Sequence, residues 1–222
     1  MTSVESLALQ DGELPAALIA EVEQRWQSLL EHCDSEQAQW YQGFANSARR
    51  TELLQALACS HTLFEFCVRH PDCLPSLDTA GLLENSIAPV RWRAELSAAC
   101  ARCENADDLA QILRQFRNRH WLRIVWRDLN RLAAMEETVA DLSHLAEACV
   151  DVALDFLHRQ LCAERGEPQS KAGEPQQLVV IAMGKLGAGE LNLSSDIDLI
   201  FAYPEAGETV GAARSVDNQE FF

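Results

Sequence analysis

Lysine is almost absent from this sequence. Of its 18 basic residues only Lys171 and Lys185 are lysines, against 34 acidic residues, so the formal net charge is −16. A protein that binds nucleic acid through the phosphate backbone needs clustered basic residues to displace counterions. The acidic balance therefore argues against a general nucleic-acid surface.

The sequence also lacks a long hydrophobic run. No stretch approaches the ~20 apolar residues of a membrane-spanning helix, and the N-terminus shows no basic segment followed by an apolar one. We therefore expect a cytoplasmic protein without membrane contact, in which the eight cysteines are reduced thiols packed in helices. A zinc site at Cys100 and Cys103 would need a second pair of ligands, and none has suitable spacing.

Most of the chain has the apolar periodicity of amphipathic helices. The predicted helices are 15–31, 36–58, 60–69, 89–103, 107–135 and 138–161. The last two are expected to form an antiparallel hairpin, the first capped by Asp107 and the second by Thr138. His120 and His144 lie in this hairpin without a nearby nucleophile or ligand set, so we assign them to packing or to the surface.

A glycine-rich loop near the C-terminus lies between two apolar, β-prone segments, 178–183 and 197–203. Its glycines allow the backbone to approach a ligand closely and to direct N–H groups at an anion. Two carboxylates at positions i and i+2 of a strand project from one face, which suits shared ligation of a divalent cation. The loop therefore predicts a phosphate and metal site, with a surface hairpin carrying two solvated aspartates as the alternative.

The predicted catalytic residues and Mg²⁺ ligands are Asp196 and Asp198. The predicted nucleotide- and phosphate-binding residues are Gly184, Lys185, Gly187, Gly189, Ser194 and Ser195. Transfer of a nucleotidyl group needs charge neutralisation and positioning more than covalent help, and Mg²⁺ supplies the first of these.

The hairpin also carries an arginine stripe, which we define as Arg114, Arg117, Arg119, Arg123, Arg127 and Arg131. The last four are spaced by four residues and share one helix face. Two interpretations stay open. The stripe is either a solvated face paired with neighbouring acids such as Asp128 and Glu136, or part of it is directed at the nucleotide site or at an acidic partner.

The order of apolar strand, Gly184-Lys185, Ser195-Asp196-Ile197-Asp198 and second apolar strand resembles the DNA polymerase β-like nucleotidyltransferase superfamily. The longer strings 183–187, 189–192 and 194–201 look like those of glutamine synthetase adenylyltransferases, bifunctional enzymes that add AMP to glutamine synthetase and remove it. Gly-Glu-Leu-Asn at 189–192, followed by Tyr-Pro-Glu at 203–205, resembles their N-terminal, adenylyl-removing half. The resemblance is strong over about 115–222 and loose before that.

The resemblance implies a reaction, a cofactor and partners. Inorganic phosphate would attack the AMP carried by a tyrosine of glutamine synthetase and release ADP, with Mg²⁺ as cofactor. The implied partners are glutamine synthetase, the PII signalling protein, phosphate and the nucleotides ATP, ADP and AMP. Such folds usually place a third carboxylate on a later strand. No convincing candidate precedes Phe222, and we expect the tail residues Glu205, Glu208, Asp217 and Glu220 to be solvated.

We therefore expect an α+β fold, a mainly helical N-terminal region followed by the start of a polymerase β-like α/β domain. The expected domains are 1–105 (helical), 106–165 (helical hairpin), 166–177 (exposed linker) and 178–222 (incomplete nucleotidyltransferase domain). Uncovered sheet edges are expected to make such a fragment unstable or prone to aggregate. Two other functions stay open: a PII uridylyltransferase, whose loop typically has Gly-Arg-Gly where this chain has Gly-Ala-Gly, and a non-catalytic regulatory module.

Overall fold

The structure, a computed structural model, describes residues 14–222, which are mostly helical and include two antiparallel strand pairs, as expected for the α+β class. The helices are α1 Ala16–Glu31, α2 Ser35–Ala45, α3 Arg50–Cys59, α4 His61–Arg69, α5 Cys73–Thr79, α6 Pro89–Ala99, α7 Ala106–Leu129, α8 Met135–Arg165, α9 Gly184–Gly187 and α10 Asn218–Phe221. The strands are β1 Glu167–Ser170, β2 Val179–Ala182, β3 Leu199–Ala202 and β4 Gly207–Val210. Among these helices none is both long and apolar enough to cross a bilayer.

The predicted helices at 15–31 and 60–69 are confirmed as α1 and α4. The single helix predicted at 36–58 is wrong, because the chain turns between α2 and α3. There the Oγ of Ser47 donates to the carbonyl of Phe44 at 2.7 Å and accepts from the N–H of Arg49 at 3.1 Å. A serine that bonds its own backbone in this way competes with the helix ladder. The helix α5 was not predicted, since Pro71 before it and Pro75 within it indicate a break in the helical pattern.

The hairpin of two long helices is present as α7 and α8, with different caps. The Oδ1 of Asn105, rather than Asp107, accepts from the N–H groups of Asp107 and Asp108 at 2.9 Å each. Thr138 lies inside α8 and does not cap it. Its hydroxyl donates to the Oδ1 of Asp128 at 3.0 Å and so ties α8 to α7.

The end of α7 lies six residues before the predicted one, at a turn without glycine. Arg131 adopts the left-handed conformation, with φ 55°. Its N–H donates to Asp128 O at 3.0 Å, and the N–H of Leu132 donates to Arg127 O at 2.8 Å. This is a Schellman arrangement, which usually has glycine at the left-handed position, so the pattern contained no stop signal there.

Contacts between residues divide the chain into two compact units. The first unit consists of the described residues up to Ile87 and of Asn118–Thr138, and the second consists of Ala88–Arg117 and Val139–Phe222. The first unit packs α1 to α5 around an apolar core whose largest fully buried members are Trp26, Trp126, Tyr41, Leu29, Leu53, Leu57, Leu63, Leu74, Leu77 and Leu83.

In the first unit, two members of the arginine stripe belong to the buried interior. Arg123 is 0% exposed and Arg127 3% exposed. Arg123 donates to Asn85 O at 2.7 Å, and Arg127 pairs with the carboxylate of Glu137 at 2.8 Å. The interpretation as a solvated face is therefore wrong for both, and burial also prevents them from facing an acidic partner surface.

His120 is fully buried in the same unit. Burial, followed by the positive charges of Arg119 and Arg123, lowers its pKa from 6.5 to about 3. Between pH 6.5 and pH 3 the unfolded chain binds a proton that the folded chain excludes. The free energy of unfolding therefore decreases as the pH is lowered. We expect the free energy of unfolding to drop by up to about 1.4 kcal/mol per pH unit from pH 6.5 towards pH 4.

Urea unfolding of the wild type and of His120→Gln at pH 7, 6 and 5 checks this expectation. The variant should lose that part of the pH dependence. His61→Gln is the matched control, because the side chain of His61 is 68% exposed, and it should keep the wild-type slope. If the free energy of unfolding changed equally with pH in the wild type and in His120→Gln, burial of an uncharged His120 would not be a source of the pH dependence.

In the second unit, β1 and β4 pair antiparallel from Glu167 opposite Val210 to Ser170 opposite Gly207. Part of the segment 166–177, predicted to be an exposed linker, is therefore a strand. The polar side chains of this segment indicated a linker. The strand is stabilised by a hydrogen bond from the side-chain amide of Asn218 to Gln169 O at 3.1 Å. A Cβ at Gly207 would lie 1.9 Å from Gln169 O, so this pairing requires glycine.

All eight cysteines are free thiols. Burial raises the pKa of the Cys67 thiol to about 12 and that of Cys100 to about 11. Their nucleophilic thiolate forms are therefore scarce at neutral pH, as expected for cysteines that serve packing.

Candidate active site

The glycine-rich loop closes a β-hairpin in the second unit. Its two flanking strands, β2 and β3, pair antiparallel from Val179 opposite Ala202 to Ala182 opposite Leu199, as the apolar pattern predicted. The next pair continues the ladder, because the N–H of Met183 donates to Asp198 O at 2.9 Å. Asp198 therefore lies at the base of the loop, directly opposite the residue that precedes Gly184.

The loop begins with the single helical turn α9. Gly184 and Gly189 have positive φ angles of 55° and 71°, which an L side chain rarely adopts, and they bracket this turn. Gly187 is required for a different reason: a Cβ there would lie 2.4 Å from Ala182 O. The turn therefore packs against the end of β2, and Gly187 serves this close approach.

Gly187→Ala is expected to destabilise the second unit by about 1–3 kcal/mol, because the added methyl group meets backbone that cannot give way. Gly43→Ala in α2 is the matched control. Nothing lies within 4 Å of its Cβ position, so the better helix propensity of alanine should stabilise it by up to about 1 kcal/mol. Urea unfolding of both variants compares them, and equal stabilities would contradict the close approach at Gly187.

Two leucines anchor the loop, since Leu186 and Leu191 are both buried. The N–H of Leu191 donates to the hydroxyl of Ser143 on α8 at 3.1 Å. Sequence reasoning missed Ser143, because nothing in the α8 pattern distinguishes a serine that contacts a distant loop from one that faces solvent.

Lys185 and Ser195 are ten residues apart and lie together at the loop surface. Lys185 Nζ lies 3.5 Å from Ser195 Oγ. The same hydroxyl donates to Asn192 Oδ1 at 2.5 Å, and Ser194 Oγ lies 3.5 Å from that oxygen. The ammonium can donate to phosphate oxygens, and the hydroxyl can do so once its single proton turns away from Asn192. Asn192 lies in the motif, and its side chain fixes the position of the Ser195 hydroxyl. The sequence did not indicate this role.

Asp196 and Asp198 are solvent-exposed and immediately precede β3. Within residues 14–222 no hydrogen bond or ion pair engages either carboxylate. Exposed carboxylate oxygens are the hard donors that Mg²⁺ prefers, so the chemistry of both residues fits this ion.

The described residues contain no cluster of three or more His, Cys, Asp or Glu side chains suited to a metal. The tail acids Glu205, Glu208, Asp217 and Glu220 are exposed, as expected for solvated residues. One of them has a structural task, because the Oδ1 of Asp217 accepts from the N–H of Glu220 and caps α10. A cavity of about 580 Å³ in the same unit, formed by α6, α8 and residues 177–178, contains none of the predicted site residues.

The comparisons with known proteins agree with the motif. A model of the family described as glutamate-ammonia ligase adenylyltransferase matches residues 50–222. A Pseudomonas aeruginosa protein named bifunctional glutamine synthetase adenylyltransferase/adenylyl-removing enzyme is 53% identical over 175 residues, which are 78% of this chain and 18% of that protein. A protein of the same name from Pseudomonas syringae pv. tomato is 42% identical over 215 residues, 95% of this chain and 22% of that protein. The chain thus spans about a fifth of the length of these curated relatives.

Proposed function

Since the chain belongs to the glutamate-ammonia ligase adenylyltransferase family, we propose that its loop 184–198 is part of a site that removes AMP from adenylylated glutamine synthetase. The observation that carries the proposal is the convergence of Lys185 and Ser195 beside the exposed Asp196 and Asp198. The relatives are named for both activities, and the resemblance of the Gly-Glu-Leu-Asn string supports the adenylyl-removing direction. The family match favours this function over the uridylyltransferase alternative.

The proposed reaction is a phosphorolysis. An oxygen of inorganic phosphate forms a bond to the phosphorus of AMP, and the bond from that phosphorus to the tyrosine oxygen breaks. ADP and an unmodified tyrosine are the products, and the tyrosine oxygen takes up a proton. No covalent intermediate on the protein is required, so positioning and charge neutralisation account for the catalysis.

In this reaction Asp196 and Asp198 would hold Mg²⁺, which supplies positive charge to the phosphate oxygens. Lys185 would donate to phosphate oxygens and orient them, and Ser195 would do the same once its single proton turns from Asn192 to the phosphate. Gly184 and Gly189, with their left-handed backbone, would shape the loop around the nucleotide phosphate. The N–H groups of Gly187 and Gly189 are already bonded within the turn, to Met183 O at 3.2 Å and to Leu186 O at 2.9 Å, so these two residues would contribute through close backbone approach rather than as donors. Lys185, Asp196 and Asp198 are exposed and Ser195 is half-buried, and such an open position suits a substrate as large as a folded protein.

Several wider assignments form part of the proposal. Residues 178–222 would begin a polymerase β-like nucleotidyltransferase domain, preceded by the helical region 1–105, of which 1–13 lie outside the described residues, the hairpin 106–165 and the segment 166–177. The substrate protein would be glutamine synthetase, the cellular location the cytoplasm, and the PII signalling protein a regulatory partner. These assignments follow from the family resemblance.

The test uses full-length protein, with this chain continued to the length of its relatives. It is incubated with adenylylated glutamine synthetase and Mg²⁺, with or without inorganic phosphate. We expect ADP to appear in step with loss of the AMP group, only when phosphate is present, and to stop when EDTA removes the metal. AMP release without phosphate would overturn phosphorolysis, and the absence of any release would favour the non-catalytic alternative.

A further inference from the structure

A buried serine of α8 is bonded to the candidate active-site loop. Ser143 is 2% exposed. Its Oγ donates to Val139 O, one helical turn earlier, at 2.8 Å and accepts from the N–H of Leu191 at 3.1 Å. A hydroxyl can do both at once because it has one donor and two acceptor positions.

This bond satisfies a buried donor that no regular structure pairs. Leu191 follows α9 and lies outside any strand, and it is 6% exposed. A buried backbone N–H is almost always paired, because leaving it unpaired costs about as much as a lost hydrogen bond. Replacement of Ser143 by alanine would leave this N–H without its acceptor, and cysteine would offer only a weak one.

The anchored residue is adjacent to the polar groups of the site. Leu191 immediately precedes Asn192, whose Oδ1 accepts from the hydroxyl of Ser195 at 2.5 Å. Ser195 in turn lies beside Lys185 and is followed by Asp196. Since Lys185, Asp196 and Asp198 are exposed, the buried leucines Leu186 and Leu191 provide the loop's fixed points.

We propose that Ser143 is a positioning residue for the reaction, and this inference rests on the proposed function. Ser143 touches no reacting atom; it fixes the backbone at Leu191 and thereby the turn that presents Ser195 and Asp196. Loss of such a supporting contact typically lowers activity or metal affinity by about 10- to 100-fold.

Three variants of the full-length protein test the inference. Ser143→Ala removes the acceptor, Ser143→Thr keeps a hydroxyl, and Ser76→Ala is the matched control. The Ser76 hydroxyl also bonds a carbonyl of its own helix, Cys73 O at 2.8 Å, but it is exposed and accepts from no distant segment in the described chain. Two readouts are compared: kcat/KM for phosphate, and hydrogen exchange of peptides covering 184–198 and, as reference, 167–170 with 207–210.

We expect Ser143→Ala to lower kcat/KM by about tenfold and to speed exchange in 184–198 while the reference peptides keep wild-type exchange. Ser143→Thr should restore both readouts to within about threefold, and Ser76→Ala should match the wild type. Unchanged exchange in 184–198 in Ser143→Ala would overturn the inference. So would faster exchange with unchanged kinetics, since the tie would then be structural only.

The failure of this inference is distinguishable from the failure of the proposed function. If Asp196→Asn and Asp198→Asn abolish activity while Ser143→Ala retains it, only the role of Ser143 is overturned. If the two Asn variants retain full activity, the proposed site is wrong whatever Ser143 does. The exchange measurement does not depend on activity and reports on the loop in either case.

Discussion

Asp196→Asn and Asp198→Asn are each expected to lower phosphate-dependent ADP release by about a hundredfold or more. Removal of one group that stabilises developing charge costs about 10²–10³ in kcat in other enzymes. An amide keeps the shape of the side chain but offers a metal no negative charge, so the proposed Mg²⁺ would be held less well. The Mg²⁺ concentration for half-maximal activity should rise in parallel.

The same variants should fold as well as the wild type. Both carboxylates are exposed and lack hydrogen bonds and ion pairs within residues 14–222, and the net charge of −16 makes the loss of an acidic group mildly favourable. Thermal melting checks this point. Glu174→Gln is the control, because it removes another exposed carboxylate of the second unit and should leave kinetics unchanged. Near-normal ADP release by both Asn variants would refute the metal assignment.

Arg127→Ala is expected to lower the free energy of unfolding by about 3 kcal/mol or more. Removing one partner of a buried, hydrogen-bonded ion pair typically costs about 3–5 kcal/mol. Here the guanidinium also donates to Leu132 O at 3.1 Å, which lies in the turn after α7. The variant would leave that carbonyl and the half-buried Glu137 carboxylate without this donor, together with a cavity in the first unit.

Urea unfolding compares Arg127→Ala with Arg114→Ala, its control on the same helix. Arg114 is exposed, so its removal should change stability by no more than about 0.5 kcal/mol. Arg127→Lys should fall between the wild type and Arg127→Ala, because an ammonium keeps the charge but loses the planar fork of donors. Equal free energies of unfolding for Arg127→Ala and Arg114→Ala would show that the buried Arg127 contributes little to the stability of the fold.

The local sequence pattern was sufficient to predict the two strands that flank the candidate active-site loop. Nearly continuous apolar, β-prone residues at 178–183 and 197–203 predicted both strands, which the structure has in shorter form as β2 and β3. Their prediction succeeded because a short hairpin closed by one loop depends on neighbouring residues. The same reasoning failed for 36–58, where Ser47 bonds its own backbone and breaks the helix.

The arginine stripe shows the limit of such reasoning. Residues at four-residue steps share a helix face, but the pattern does not say what covers that face. Arginine is rarely buried, so the sequence favoured solvent, yet Arg123 and Arg127 find carbonyl and carboxylate partners in the interior of the first unit. The turn at Arg131 was missed because α7 ends without a glycine. Arginine takes the left-handed position there, next to Leu132, whose carbonyl accepts from the guanidinium of Arg127.

The sequence by itself was sufficient to predict the family and the α+β class, and it supplied the candidate site residues as a prediction, because a motif of glycines, a lysine and paired aspartates is a contiguous string whose chemistry depends on residue type. Only the tertiary structure decided which polar residues are buried and which distant groups meet. Ser143 and Leu191 are 48 residues apart in the chain, and their bond exists because α8 packs beside the loop. Burial and long-range pairing depend on packing between segments, which residue order alone does not specify.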